Sequence, residues 1–287
     1  MDAFNEEKIR RFSADIRIWT TREIAAAGFG HIGGSASIAD VLAVLYGYEM
    51  RIDPARPDWE DRDMLVLSKG HCAPALYAAL ALKGFFPMAW LETLNRNGTN
   101  LPSHADRRRV PGVDMSTGSL GQGLSAAVGI AAANRLKGRG SYTYCIVGDG
   151  ETNEGQIWEA CGTAVRYGLD HLILLVDWNK KQLDGRLEEI SGNLPLQEKF
   201  AAFGLDSCTV PGYDHGAIHE AIAAAKARPG RPHAILLDTI KGLGVKLAED
   251  QEFNHYLNFG PEEAEKSVAE IERRLAEGSY PGGDFKW

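Results

Sequence analysis

No stretch of the 287-residue chain approaches the roughly 18 unbroken apolar positions that a membrane-crossing helix needs, and none forms a low-complexity tract, an internal repeat or a Pro/Ser linker. The N-terminus, MDAFNEEKIRRF, lacks the apolar core of a secretory signal. There is no Cys-x-x-Cys pair: Cys72, Cys145, Cys161 and Cys208 stand apart in apolar or mixed surroundings, which argues against a zinc ribbon or disulfide scaffold and for buried free thiols. Positive charge is also scarce. Thirty-nine acidic residues face 31 basic ones, a formal charge of -8, and the one basic triplet, Arg107-Arg108-Arg109, reads as a solvated loop. Nucleic acid and membrane are therefore not expected partners. These exclusions leave a soluble, cytoplasmic, globular protein as the expectation.

What is present is a regular alternation. With 44% apolar residues the chain can bury a large core. Residues 5–27 carry Ile9, Phe12, Ile16, Trp19 and Ile24 near helical spacing, and a second helix is expected from about Ser37 to Tyr46 behind a Ser cap. Short apolar runs at 63–67, 142–147, 172–177, 206–210 and 234–239 read as strands, with helices expected at 73–83, 123–134, 155–167, 217–227 and 262–276. Residues 95–123, rich in Gly, Pro, Asn and Ser, read as a long functional loop. Strand, helix and strand in turn predict an α/β fold, a parallel β-sheet flanked by helices on both faces, with residues 1–287 as a single domain.

Two polar sequences follow directly on strands. Gly148-Asp149-Gly150 follows 142–147, and Asp177-Trp178-Asn179 completes 172–177. Asp149 and Asn179 are thirty positions apart, one strand-helix-strand unit, which puts both at the carboxyl ends of neighbouring strands. Open parallel sheets bind ligands there. A carboxylate and an amide oxygen are hard ligands suited to Mg²⁺ or Ca²⁺, with coordination positions left for a diphosphate. Gly148 and Gly150 allow close backbone approach, and the following helix start offers N–H groups to phosphate. By contrast, Gly28-Phe29-Gly30-His31-Ile32-Gly33 matches the G-x-G-x-x-G spacing but follows a helix rather than a strand, so a nicotinamide dinucleotide is rejected.

Gly148-Asp149-Gly150, 27 residues and then Trp178-Asn179 resembles the thiamine diphosphate motif, with Trp where the motif often has Asn and with Asn179 retained. GHIGGS at 30–35, SKGH at 68–71, LPSH at 101–104 and STGSLGQG at 116–123 extend the resemblance, in that order, to the N-terminal, diphosphate-binding half of transketolases, over about residues 8–260. The resemblance implies a thiamine diphosphate-binding fold and transfer of a two-carbon ketol unit from a ketose phosphate to an aldose. It gives Asp149 and Asn179 as side-chain ligands of the metal and Lys181 as a ligand through its main-chain carbonyl. It sets Gly148, Gly150 and Glu151 beside the diphosphate, with His71 facing it, and Gly118, Leu120 and Gln122 pressing on the cofactor. His31, His104 and His255 become the proton-handling groups, His104 near the first hydroxyl of the donor. His255 also borders the cofactor, and Lys241 approaches after the last strand. His171, His215, His219 and His233 match no motif and read as structural.

In this family the glutamate that activates the aminopyrimidine, and much of the sugar-phosphate site, belong to a following domain. With the sequence at hand closing at Trp287, the expectation is one subunit of a split transketolase, completed by a separate C-terminal, pyrimidine-binding subunit in a heterotetramer of two each. The alpha subunit of a thiamine-dependent 2-oxoacid dehydrogenase, a deoxyxylulose phosphate synthase type and a non-catalytic cofactor-binding homologue are the competing readings. GHIGGS, SKGH and STGSLGQG favour transketolase over the first.

Overall fold

The computed structural model describes residues 3–183, 185–192 and 195–281; the outermost residues of the expected domain, 1–2 and 282–287, lie outside them. In chain order the elements are α1 (Glu6–Ala27), the short strand β1 (Phe29–Gly30), α2 (Ile32–Ser37), α3 (Ala39–Val44) running into a π-helical turn, β2 (Met64–Leu67), α4 (Ala73–Leu82), α5 (Gln122–Leu136), β3 (Thr143–Gly148), α6 (Gly155–Arg166), β4 (Leu172–Trp178), β5 (Lys181–Gln182), β6 (Gly185–Arg186), α7 (Leu187–Ser191), α8 (Leu196–Ala202), β7 (Asp206–Pro211), α9 (His215–Lys226), β8 (His233–Asp238), α10 (Lys246–Glu249), β9 (Leu257–Asn258) and α11 (Pro261–Ala276). α1 starts where Asn5 Oδ1 accepts from Lys8 N at 3.0 Å and stops at Gly28, whose φ of 85° suits glycine.

Five strands form one parallel sheet in the order β2-β3-β4-β8-β7. Successive residues point to opposite faces, and both faces are covered, so β2, β3, β4 and β8 are largely apolar rather than alternating, while the edge strand β7 carries Asp206, Ser207 and Thr209. Tyr144, Ile146, Ile173, Leu175, Ile235 and Leu237 pack toward α1, α3, α4, α9 and α11. Cys145, Val147, Leu174, Val176, Ala234 and Leu236 pack toward α5, α6 and α8. Ile146 is fully buried at the centre of the first face. Ile146→Val, which removes one methylene there, is expected to lower unfolding free energy by about 0.5–1.5 kcal/mol, read from denaturant midpoints.

One expected helix splits. Instead of a run from Ser37 to Tyr46, α2 and α3 meet at Ile38, and Ser37 does not cap: its hydroxyl donates to Asp177 Oδ2 at 2.7 Å. The run is interrupted because the backbone at Ile38 leaves the helical region, with φ -99° and ψ 2°. Beneath this corner Arg17 and Asp40, both fully buried, form an ion pair at 2.5 Å. Burial works against the Asp40 charge, yet Arg17 and His215 hold its carboxyl well below the usual range. Arg17 Nε also donates to Leu243 O at 2.7 Å, which fixes the turn after β8 that carries Lys241.

Candidate active site

The register places Gly148 opposite Asp177 and Trp178 opposite Asp238, so the carboxyl ends of β3, β4 and β8 finish together. Asp149 sits where β3 gives way to a 3-10 turn and is 2% exposed. Its Oδ1 accepts from Gly150 N at 2.7 Å and its Oδ2 from Lys180 N at 2.5 Å. Asn179 is buried too: Nδ2 donates to Asp177 Oδ2 at 2.7 Å and Oδ1 accepts from Lys181 N at 3.1 Å. Lys181 O lies 3.4 Å from the ammonium of Lys241. One carboxylate, one amide and one main-chain carbonyl thus gather at the strand ends. Gly150 has no room for a side chain, since a Cβ there would come within 2.9 Å of Gln182.

The charges around this corner are unevenly balanced. Lys69 donates to Asp177 Oδ2 and to Gly34 O at 3.1 Å; burial opposes its charge, but Asp177 holds its pKa above the ordinary value. Among the described residues Asp149 has no such ion pair. Burial and the neighbouring Asp177 push its carboxyl up to about 7. Asp177 Oδ1 is buried without a hydrogen-bond partner among the described residues. Two carboxylates, Asp149 and Asp177, thus share this corner with the ammoniums of Lys69 and Lys241, the second resting on the Lys181 carbonyl. Among the described residues no three His, Cys, Asp or Glu side chains converge as a metal cage. A cation here would therefore draw on Asp149, Asn179 and Lys181 O, hard oxygens that fit Mg²⁺ or Ca²⁺ and not a thiolate-seeking metal.

Beside this corner four imidazoles come together from four distant segments. His31 follows β1 and precedes α2, His71 lies in the 3-10 turn after β2, His104 in the long loop before α5 and His255 just before β9. His31 is their hub, with ring centroids 5.3 Å from His71, 5.8 Å from His104 and 5.2 Å from His255; His71 and His255 are 4.8 Å apart. The antiparallel pairing of β1 with β9, Phe29 against Asn258 and Gly30 against Leu257, holds the His31 and His255 segments side by side. Close packing completes the support: a Cβ on Gly33 would meet Asn254 O at 2.2 Å, and one on Gly118, at a φ of 151°, would meet His104 at 3.0 Å.

Lys241 joins the two groups. Its Nζ is 3.0 Å from His255 Nδ1, and burial with Lys69 nearby pulls its pKa down to about 8. Burial, with His104 and Lys241, lowers His31 to about 4, and burial with Lys241 lowers His255 to about 3. Burial and Lys69 also push His71 far down, and burial lowers His104. Near neutral pH the cluster is therefore a set of uncharged rings, able to donate and accept hydrogen bonds without bringing charge. In the cofactor-free chain the His31 and His255 ring resonances are expected to stay still between pH 8 and 5.5, where an ordinary histidine titrates. The unfolded chain binds more protons than the folded one below about 6.5, so these groups reduce stability as pH falls toward 4.

Other site residues take their places as follows. Gly148 ends β3, Leu120 is exposed and Gln122 opens α5. Glu151 follows Gly150, but its carboxylate is occupied by three protein donors: Ser68 Oγ, Gly121 N and Gly148 N. His215 bonds Asp40 at 3.0 Å, His219 bonds Glu49 at 2.5 Å, His233 bonds Arg228 O at 3.0 Å and His171 stacks on Tyr142. Sequence reasoning passed over Lys69, Asp177 and Tyr256, whose ring stands edge-on to His31 at 5.0 Å and stacks on Phe29 at 5.9 Å. For Lys69 the signal was there, a lysine inside the SKGH segment between an apolar strand and an apolar helix.

The sequence profile of the family described as "Transketolase, thiamine diphosphate binding domain" matches residues 9–276. A protein of Clostridium sp. (strain MSTE9) named 6-deoxy-6-sulfo-D-fructose transketolase subunit SqwG is 51% identical, over 91% of this chain and 95% of its own length. A protein of Actinobacillus succinogenes, named as one of the subunits of an apulose-4-phosphate transketolase, is 36% identical, over 84% and 87%. The solved transketolase from Leishmania mexicana superposes with a TM-score of 0.85 at 31% identity, covering 97% of this chain and 42% of that one. This chain thus spans less than half of that enzyme but nearly the whole of the proteins named as subunits. It belongs to the transketolase family and corresponds to its N-terminal, thiamine diphosphate-binding part.

Proposed function

We propose that this chain is the diphosphate-binding subunit of a two-subunit transketolase. The observation that carries the reading is the juxtaposition of four imidazoles with a pocket of carboxylate, amide and carbonyl oxygens, joined through Lys241. Asp149, Asn179 and Lys181 O would hold Mg²⁺ or Ca²⁺, and the metal with Lys241, His71 and the Gly148–Gly150 turn would neutralise the diphosphate. When bound, thiamine diphosphate supplies a carbon nucleophile and an electron sink for breaking and remaking the bond beside a carbonyl. The chain's part is to orient and to move protons. His31, His104 and His255 exchange hydrogen bonds with the sugar's carbonyl and hydroxyls, each ring free to give or take a proton without first discharging one.

Two relatives matched over most of their length are named as transketolase subunits, which supports a separate partner, the pyrimidine-binding subunit of the proposal. The proposed assembly is two of each, in the cytoplasm. Phe29, Leu120, Phe253 and Tyr256 are exposed on segments that also bear site residues, as suits a rim that another subunit covers. The donor is a ketose with an anionic end. A sugar phosphate is the general case, and a 6-sulfonated ketose is the first specific candidate, from the name of the 51% identical relative. The test is a panel assay of the chain with its partner, thiamine diphosphate and Mg²⁺. Two-carbon transfer from 6-deoxy-6-sulfofructose or a ketose phosphate supports the proposal. Decarboxylation of pyruvate without ketol transfer would sink it.

A further inference from the structure

Glu151 follows the Gly148-Asp149-Gly150 turn and is 3% exposed. Its carboxylate joins three separate segments. Oε1 accepts from Ser68 Oγ at 2.5 Å and from Gly121 N at 2.8 Å, and Oε2 accepts from Gly148 N at 3.0 Å. Ser68 follows β2 and opens the loop that bears His71; Gly121 closes the turn from Gly118 and caps α5; Gly148 ends β3. These segments are already pressed together, since a Cβ on Gly123 would lie 2.4 Å from Ser68 Oγ. As the residue before α5, Gly121 has an amide outside the helix's own ladder, so it needs an acceptor from elsewhere. A buried carboxylate meets that need with charge-assisted bonds, and a residue without an acceptor would leave all three donors unsatisfied.

We propose that Glu151 is a positioning residue that binds protein rather than cofactor. It ties the Ser68–His71 loop, the Gly118–Gly121 turn and the Gly148–Gly150 turn into one rigid cradle for the diphosphate. The proposal rests on the diphosphate reading given above and assigns the side chain a role that reading does not contain.

The test compares the full wild-type chain with Glu151→Gln and Glu151→Ala, by amide hydrogen exchange without cofactor and by calorimetric titration of thiamine diphosphate with Mg²⁺ in the presence of the partner subunit. Glu151→Ala should speed exchange at Gly121 and Gly148 at least about tenfold and weaken cofactor binding by about tenfold. Glutamine keeps one acceptor oxygen, so Glu151→Gln should leave Gly121 protected, loosen Gly148 and bind with intermediate affinity. Unchanged exchange in Glu151→Ala overturns the clamp, and faster exchange with unchanged affinity overturns its positioning role. Should Glu151→Ala fail to fold, wild-type protection at both amides in Glu151→Gln overturns the proposal by itself. A wild-type chain that binds no thiamine diphosphate even with its partner subunit present overturns the cofactor reading and the positioning role together; the exchange data still tell that failure from a missing clamp.

Discussion

Asp149→Asn should reduce thiamine diphosphate affinity in the presence of Mg²⁺ by at least about 100-fold, and calorimetric titration should find the residual binding indifferent to EDTA. Changing groups that merely support a metal ligand costs about 10–100-fold, so removing the ligand's charge falls at or beyond the top of that range. The substitution keeps one acceptor oxygen, enough for Gly150 N, and gives up the bond from Lys180 N. It should also have the opposite effect on the empty chain. Burial and Asp177 raise the Asp149 carboxyl to about 7, so the folded state binds the proton more tightly than the unfolded one. Stability of the cofactor-free protein therefore declines as pH rises from about 4 to 7, and an uncharged Asn escapes that loss. The variant should melt higher than wild type at pH 8, with a smaller gap at pH 5. A site built for a cation shows this signature: the charge that binds the ligand destabilises the protein without it.

His31→Ala should lower kcat by about 10²–10⁴-fold while leaving cofactor affinity within a few-fold of wild type. His31 is the ring that touches the other three histidines and Tyr256, yet it lies outside the oxygen pocket formed by Asp149, Asn179 and Lys181. Its loss removes the hub of the proton-handling group and opens the packing of His104 and His255. Steady-state kinetics and cofactor titration on the same preparation separate the two effects. A large loss of cofactor affinity, with kcat intact at saturation, would move His31 from chemistry to binding.

Most of the main sheet was readable because β2, β3, β4 and β8 are buried on both faces and read as apolar runs between turn residues; the run at 142–147 and the strand at Thr143–Gly148 differ by one position at each end. The Asp149–Asn179 spacing was readable for the same reason, since one strand-helix-strand unit fixes where both residues emerge. What escaped has long-range causes. The β1–β9 ribbon is two residues against two, too short for any period, and it forms because the chain returns some 230 residues later. The break at Ile38 carries no local signal, and the Ser37 hydroxyl beside it reaches Asp177, 140 residues away. α8, with Leu196 and Phe200 four apart, is a seven-residue helix whose apolar face declares itself only against β7 and β8. In the sequence Glu151 is one more polar residue beside a phosphate turn. Only the folded chain shows that Ser68, Gly121 and Gly148 converge on it.

The most direct measurement is diffraction at the manganese edge from the chain, with its partner subunit, grown with thiamine diphosphate and Mn²⁺ in place of Mg²⁺. A single anomalous peak bounded by the Asp149 carboxylate, Asn179 Oδ1 and the Lys181 carbonyl, touching the diphosphate, is the predicted result. Cofactor density without a metal at those three oxygens, or a peak elsewhere in the chain, would contradict it.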